Sequence, residues 1–211
     1  MSVLDGYATT TALAPAAIRA RVPIGMDRGR PVRADLISFG GLADSGEHVA
    51  VEVPTETGRI PLVRIHSECL TGDVFGSKRC DCGPQLDEGL DAVAENGGAI
   101  LYLRQEGRGI GLYNKLDAYI LQDTNVDTFS ANRMLGRGDD ERQYAVAAQM
   151  LKALGLERIR LLTNNPEKVR QLREYGIEVV DVVPTRVHSN PDNERYLWAK
   201  ASLGGHNLAV S

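Results

Sequence analysis

Two periods run through this chain. Apolar and polar residues alternate in VRADLISF (32–39), HVAVEV (48–53) and PLVRIHS (61–67), which predicts strands, with GGLADSGE (40–47) as a turn. Further on, QLDEGLDAVAEN (85–96) places Leu86, Leu90 and Val93 on one helical face, and Gly97-Gly98 stops the helix. A buried strand AILYLR (99–104) leads through the loop QEGRGIG (105–111) into a helix over 112–123. GDDERQYAVAAQMLKALG (138–155) sets Tyr144, Ala148 and Leu151 on one face and ends at a glycine, again a helix. RIRLLT (158–163) and IEVVDVV (177–183) read as strands flanking a helix in 164–176, with Asn165 as its N-cap and Pro166 at its first position. DNERYLWAKASLGG (192–205) is a final helix.

Strands alternating with helices after residue 85 predict an α/β protein: a mixed, mainly parallel sheet layered with helices, with an N-terminal β-rich portion. Residues 1–30, rich in Ala, Thr, Pro and Gly, read as a loosely ordered arm, and 31–211 as a single domain. No repeat or low-complexity segment interrupts it.

Composition narrows the function classes. With 43% hydrophobic residues among 211, the chain can fill a real core. Its longest apolar stretches fall far short of the ~20 residues a bilayer span needs, so no membrane segment is expected. The first twenty residues lack the basic start and apolar run of a secretory signal, which predicts residence in the cytoplasm. A net charge of −4 gives no field to hold a nucleic-acid polymer, although a local cluster can still bind a small anion.

All three cysteines stand in ECLTGDVFGSKRCDCG (68–83). An odd thiol count in a reducing compartment argues against a disulfide framework. Cys80 and Cys82, one residue apart, are poorly placed to pair. Three soft thiolates converging on one ion favour zinc over Mg²⁺ or Ca²⁺. Three protein ligands leave a position for water, the mark of a catalytic rather than a closed structural site. The alternative is a shell closed by His66 or Asp81.

QEGRGIG, between a strand and a helix, is suited to present backbone N–H groups to an anion. Arg104 and Arg108 lie beside and within this loop, and Arg64, Arg79, Arg142 and Lys168 at strand ends or helix starts; each alone is ordinarily a solvated charge, and only convergence of several makes a polyphosphate site. Asp139 and Asp140 open a predicted helix, where a carboxylate is commonly a cap. Tyr119 reads by default as a core tyrosine, and Thr163 ends a strand where ligands of open α/β sheets bind.

Taken together, RIHSECLTGDVFGSKRCDCG (64–83), LRQEGRGIGLYNKLDAYILQD (103–123), GDDERQYAVAAQMLKALG and LLTNNPEKV (161–169) closely resemble GTP cyclohydrolase II, over roughly residues 60–207. The resemblance implies a catalytic domain that hydrolyses GTP to formate, pyrophosphate and 2,5-diamino-6-ribosylamino-4(3H)-pyrimidinone 5′-phosphate, opening riboflavin synthesis. It implies zinc on Cys69, Cys80 and Cys82, one ion per chain, and Mg²⁺ with the triphosphate. GTP contacts carried over by motif are Arg64, Ile65, His66, Ser67, Glu68, Gln85, Glu106, Gly107, Arg108, Thr128, Thr163 and Lys168. Asp140 is implied as general base, Arg142 as the group acting at the α-phosphate, Tyr119 as a helper in ring opening, and the assembly as a homodimer. The chain departs from the family pattern at TFSAN (128–132) and LGR (135–137), which bears on substrate fit. Two other readings compete: a paralogue that retains the formyl group or takes another nucleotide, and a non-catalytic nucleotide-binding module with structural zinc.

Overall fold

The computed structural model describes residues 13–124, 130, 134, 136, 142–194, 197 and 198. Its strands are β1 (Ala17–Asp27), β2 (Pro31–Gly40), β3 (Val49–Val53), β4 (Leu62–Ser67), β5 (Gly98–Leu103), β6 (Arg158–Leu162) and β7 (Glu178–Val183). Its helices include α1 (Leu70–Asp73), α2 (Cys82–Asn96), α3 (Leu112–Gln122), α4 (Ala145–Leu154) and α5 (Pro166–Glu174). The strands form one mixed sheet in the order β1-β2-β3-β5-β4-β6-β7. From β5 through β4 and β6 to β7 the neighbours are parallel, and from β1 to β5 they are antiparallel.

The α/β class is therefore as expected, with one refinement. The N-terminal strands do not form a separate layer. β3 pairs with β5, Val49 opposite Tyr102 and Val53 opposite Gly98, so the antiparallel half continues edge-on into the parallel half.

Helices cover both faces, which explains why β4 and β5 are almost wholly buried. On one face Ile37, Ala50, Ile65, Leu101 and Leu103 pack against Val146–Leu151 of α4 and Val169 and Leu172 of α5. On the other, Val32, Val53 and Ile100 meet Leu86, Leu90 and Val93 of α2. The predicted stripe of α2 is the buried one. Each fully buried side chain of this size contributes about 1.5–3 kcal/mol relative to exposure.

Four expectations need correction. The loose arm over residues 1–30 fails for 17–27, which pair with β2 from Ala17↔Gly40 to Asp27↔Pro31. Residues 17–23 are exposed, so neither face carries the alternation that signals a half-buried strand. Pro23, which has no N–H to give, is tolerated because β1 is an edge strand. The cysteine stretch, for which the pattern predicts no helix, carries α1 inside it, and its Cys82 opens α2. The helix expected over 138–155 is helical from Ala145; residues 142–144 are not helical, 138–141 lie outside the described residues, and the Tyr144 N–H donates to Gln171 Oε1 at 2.9 Å instead. Gly155, at φ +72°, ends this helix as predicted. Of the final helix expected over 192–205, Asp192 and Asn193 form a turn instead, Glu194, Leu197 and Trp198 are helical, and the rest lie outside the described residues.

No helix among the described residues is long and apolar enough to cross a membrane.

Candidate active site

The carboxyl ends of parallel β4 and β5 lie side by side, and the segments that follow them build one cavity. After β4, Cys69 is the N-cap of α1. The chain then returns through Cys80 to Cys82, the first residue of α2. Gly72 permits this fold, because a β-carbon there would lie 3.0 Å from Cys80 Sγ and 3.2 Å from Cys69 Sγ.

The three sulfurs lie within 4.8 Å of one another, with Cys69 and Cys80 3.6 Å apart and no disulfide among them. A tetrahedral ion with metal–sulfur bonds near 2.3 Å sets its sulfurs about 3.8 Å apart, so the donor set and spacing fit zinc. Among the described residues, no fourth His, Cys, Asp or Glu joins the cluster. His66 Nε2 is engaged with the Asp73 carboxylate at 3.1 Å, and Asp81 Oδ2 accepts from Gln85 Nε2 at 2.5 Å.

Three side chains hold the cysteine segment. Asp73, 2% exposed, accepts from the Cys69 N–H (2.9 Å), the Tyr102 hydroxyl (2.8 Å) and His66, whose ring stacks on Tyr102. Glu106 takes the Leu70 N–H at 2.7 Å and the Gly107 N–H at 2.8 Å, clamping the segment after β5 to α1. Lys115 of α3 directs its ammonium to Cys69 Sγ (3.0 Å), Thr71 Oγ1 (3.0 Å) and Glu106 Oε1 (2.8 Å). Gly107, at φ +62°, lets α3 approach: a β-carbon there would lie 3.2 Å from Lys115 Cβ.

Charge is shared unevenly in this cluster. Hydrogen bonds from the Cys80 and Cys82 thiols, then the Lys115 ammonium, draw the Cys69 thiol well below the ordinary range despite burial. Cys80 is pushed up to about 11, chiefly by its bond to Cys69, and Cys82 rises for the same reason. Burial pulls Lys115 down, but the Cys69 and Glu106 charges outweigh it and keep it firmly cationic. Burial raises the Tyr119 phenol above its usual value.

The cavity encloses about 90 Å³ and opens to solvent. Of the residues predicted from sequence, it brings together Ser67, Glu68, Cys69, Cys80, Cys82, Glu106, Gly107, Arg108, Tyr119 and Arg142. Arg108 stands at φ +62°, the one non-glycine in the left-handed region among the described residues. Tyr119 lies beneath Arg79, whose guanidinium carbon is 5.0 Å from the ring centre.

Other predicted residues sit apart from this lining. Arg64 is buried and donates to Gln85 Oε1 at 2.9 Å; Gln85 in turn holds Asp81, next to two of the cysteines. Ile65 and His66 are core positions of β4. Thr163 follows β6, its hydroxyl accepting the Asn165 N–H at 3.0 Å, and Lys168 donates to the Ile65 carbonyl at 2.7 Å. Of the arginines considered for a polyphosphate, Arg108 and Arg142 reach the cavity, whereas Arg104 pairs with Glu68 and Arg79 with Asp123. The loop glycines present little to an anion at Gly107, whose N–H is taken by Glu106. Thr128, Asp139 and Asp140 lie outside the described residues.

Asp73, Lys115 and Gln105 escaped the sequence reading although all three belong to this site or its support. Lys115 precedes Tyr119 by one helical turn, a spacing that shares a face and was available as a signal.

Comparison with known proteins finds relatives over most of the chain. The sequence profile described as GTP cyclohydrolase II matches residues 27–184. A GTP cyclohydrolase-2 of Vibrio parahaemolyticus is 56% identical over 92% of this chain and 100% of its own length. Its Vibrio cholerae counterpart is 55% identical with the same coverage. The riboflavin biosynthesis protein RibBA of Bacillus mycoides is 52% identical over 82% of this chain and 44% of that longer protein.

Proposed function

The chain belongs to the GTP cyclohydrolase II family of enzymes, and on that premise we propose that it opens the imidazole ring of GTP, releasing formate and pyrophosphate. The product is 2,5-diamino-6-ribosylamino-4(3H)-pyrimidinone 5′-phosphate, and the reaction is the first step toward riboflavin, the pathway for which the Bacillus mycoides relative is named. The observation that carries this reading is the meeting of three cysteine sulfurs with Tyr119, Arg108 and Arg142 in one cavity.

Three hydrolytic events are needed. One water cleaves the bond between the α- and β-phosphates, a second opens the ring at C8, and a third releases the formyl carbon as formate. Cys69, Cys80 and Cys82 would hold zinc, which would supply Lewis acidity for the carbon steps. Tyr119, kept protonated by burial, is the proton donor to the departing ring nitrogen. Arg108 and Arg142 neutralise phosphate oxygens, and Arg142 stabilises charge developing at the α-phosphate. Mg²⁺ accompanying the triphosphate would share the phosphate charge with these arginines. Asp140 is the general base, and Arg64, Gln85, Thr163 and Lys168 support the nucleotide. The enzyme works as a homodimer in the cytoplasm, where reduced thiols stay free to bind metal.

The test is product analysis. Zinc-loaded protein incubated with GTP and Mg²⁺ is expected to release formate and pyrophosphate and shift the ultraviolet spectrum. A product one carbon monoxide heavier identifies the formyl-retaining paralogue. GTP bound but unchanged by metal-loaded protein rejects the enzyme reading.

A further inference from the structure

We propose that Lys115 is a positioning residue of the metal site: its ammonium, hydrogen-bonded to Cys69 Sγ, withdraws electron density from that sulfur and so strengthens the Lewis acidity of an ion held by the three cysteines. The inference rests on the metal reading above but concerns a residue that reading does not use.

The geometry singles this lysine out. Its three N–H donors meet three acceptors, Cys69 Sγ, Thr71 Oγ1 and Glu106 Oε1, at 3.0, 3.0 and 2.8 Å. The side chain is 11% exposed, so water competes little for those bonds. Burying a lysine with its donors divided between a sulfur, a hydroxyl and a carboxylate is not needed to fill the core, since an apolar side chain of that length would do so without desolvating a charge.

The chemistry explains what the placement does. Three thiolates are strong electron donors and leave a divalent ion with a net negative coordination shell. Such a shell blunts the ion's Lewis acidity and repels an anionic nucleotide. A cation bonded to one of the sulfurs offsets both effects, and outer-shell partners of this kind tune ligand strength and orientation. The same ammonium lies 5.7 Å from the centre of the Tyr119 ring. The lysine thus links the sulfur cluster to the proposed proton donor.

Cobalt(II) in place of zinc gives a readout independent of turnover, the thiolate-to-metal charge-transfer band. In Lys115→Met the Cys69 sulfur loses its donor, so the band moves to longer wavelength, and GTP turnover by the zinc form falls about 10- to 100-fold. Lys115→Arg, which keeps a cation with N–H donors, returns the band toward its original position. Thermal unfolding of the metal-free variant checks the fold; should the Met variant not fold, Lys115→Gln, which drops the charge but keeps a neutral N–H donor, is expected to shift the band in the same direction by less, and no shift in it overturns the role. A Met variant whose band coincides with that of the unaltered protein overturns the role of Lys115, as does an Arg variant sharing the full Met shift. If the unaltered protein shows no charge-transfer band at all, the metal reading itself fails, which is a separate result.

Discussion

Gly83 meets Gly72 backbone to backbone: a β-carbon on Gly83 would fall 2.5 Å from the Gly72 carbonyl oxygen. The two glycines bring the start of α2 against α1, and with them the two halves of the cysteine cluster. Gly83→Ala is expected to force these segments apart, destabilising the metal-free protein by about 1–3 kcal/mol in urea unfolding. Zinc bound per chain drops as well. Full zinc content and an unchanged unfolding midpoint in this variant would contradict the close approach.

Asp73 is the second point of weakness. Asp73→Asn keeps the shape but turns one acceptor oxygen into an NH₂ donor facing groups that themselves donate, the Cys69 N–H, the Tyr102 hydroxyl and His66. Loss of a buried charged hydrogen bond of this kind lowers stability by about 1.5–3 kcal/mol. Tyr102→Phe, which removes one donor and leaves the carboxylate, is expected to lose less. The order of the two unfolding midpoints is the measurement, and its reversal counts against the hub.

Stability should fall in mild acid because of His66. Burial lowers its proton affinity, and the Asp73 bond and carboxylate do not fully offset this, so the folded chain holds a neutral ring. Below the unfolded value near 6.5, the unfolded chain takes up a proton that the folded chain refuses. The stabilisation is complete above that pH and is lost as pH falls toward the depressed folded value, with a slope of at most about 1.4 kcal/mol per pH unit from this one group. Urea unfolding from pH 8 to pH 5, repeated with His66→Asn, isolates its share; identical slopes in the two proteins refute it.

Kinetics separate the roles of Tyr119 and Arg142. Tyr119→Phe removes a proton donor without removing the ring beneath Arg79, so kcat is expected to fall about 10²- to 10⁴-fold with KM for GTP little changed. Arg142→Ala removes charge at the phosphates, so pyrophosphate release falls and KM rises with it. A Phe variant with full kcat removes Tyr119 from the chemistry.

What the chain reveals before its structure is seen depends on how local each cause is. β2, β3, β4, β5 and the stripe of α2 were legible because one face or both lie in the core, which writes a period into the residues. β1 was not, since an edge strand exposed over residues 17–23 has no such constraint. α1 was hidden for another reason: its four residues are fastened by Glu106 and Asp73 rather than by propensity. The same division holds in the site. Cys69, Cys80 and Cys82 are neighbours in sequence and announce their chemistry, while Lys115 finds Cys69 across 46 positions, through a meeting of helix and loop that no short motif encodes.

Glu106 gives the site a heritable constraint. Because a single carboxylate grips Leu70, Gly107 and Lys115, the two rims of the cavity cannot drift independently over generations. A lineage adapting this scaffold to another ligand is free to rewrite either rim only in concert with the other. Paired substitutions across residues 68–81 and 104–111 are the footprint such adaptation should leave.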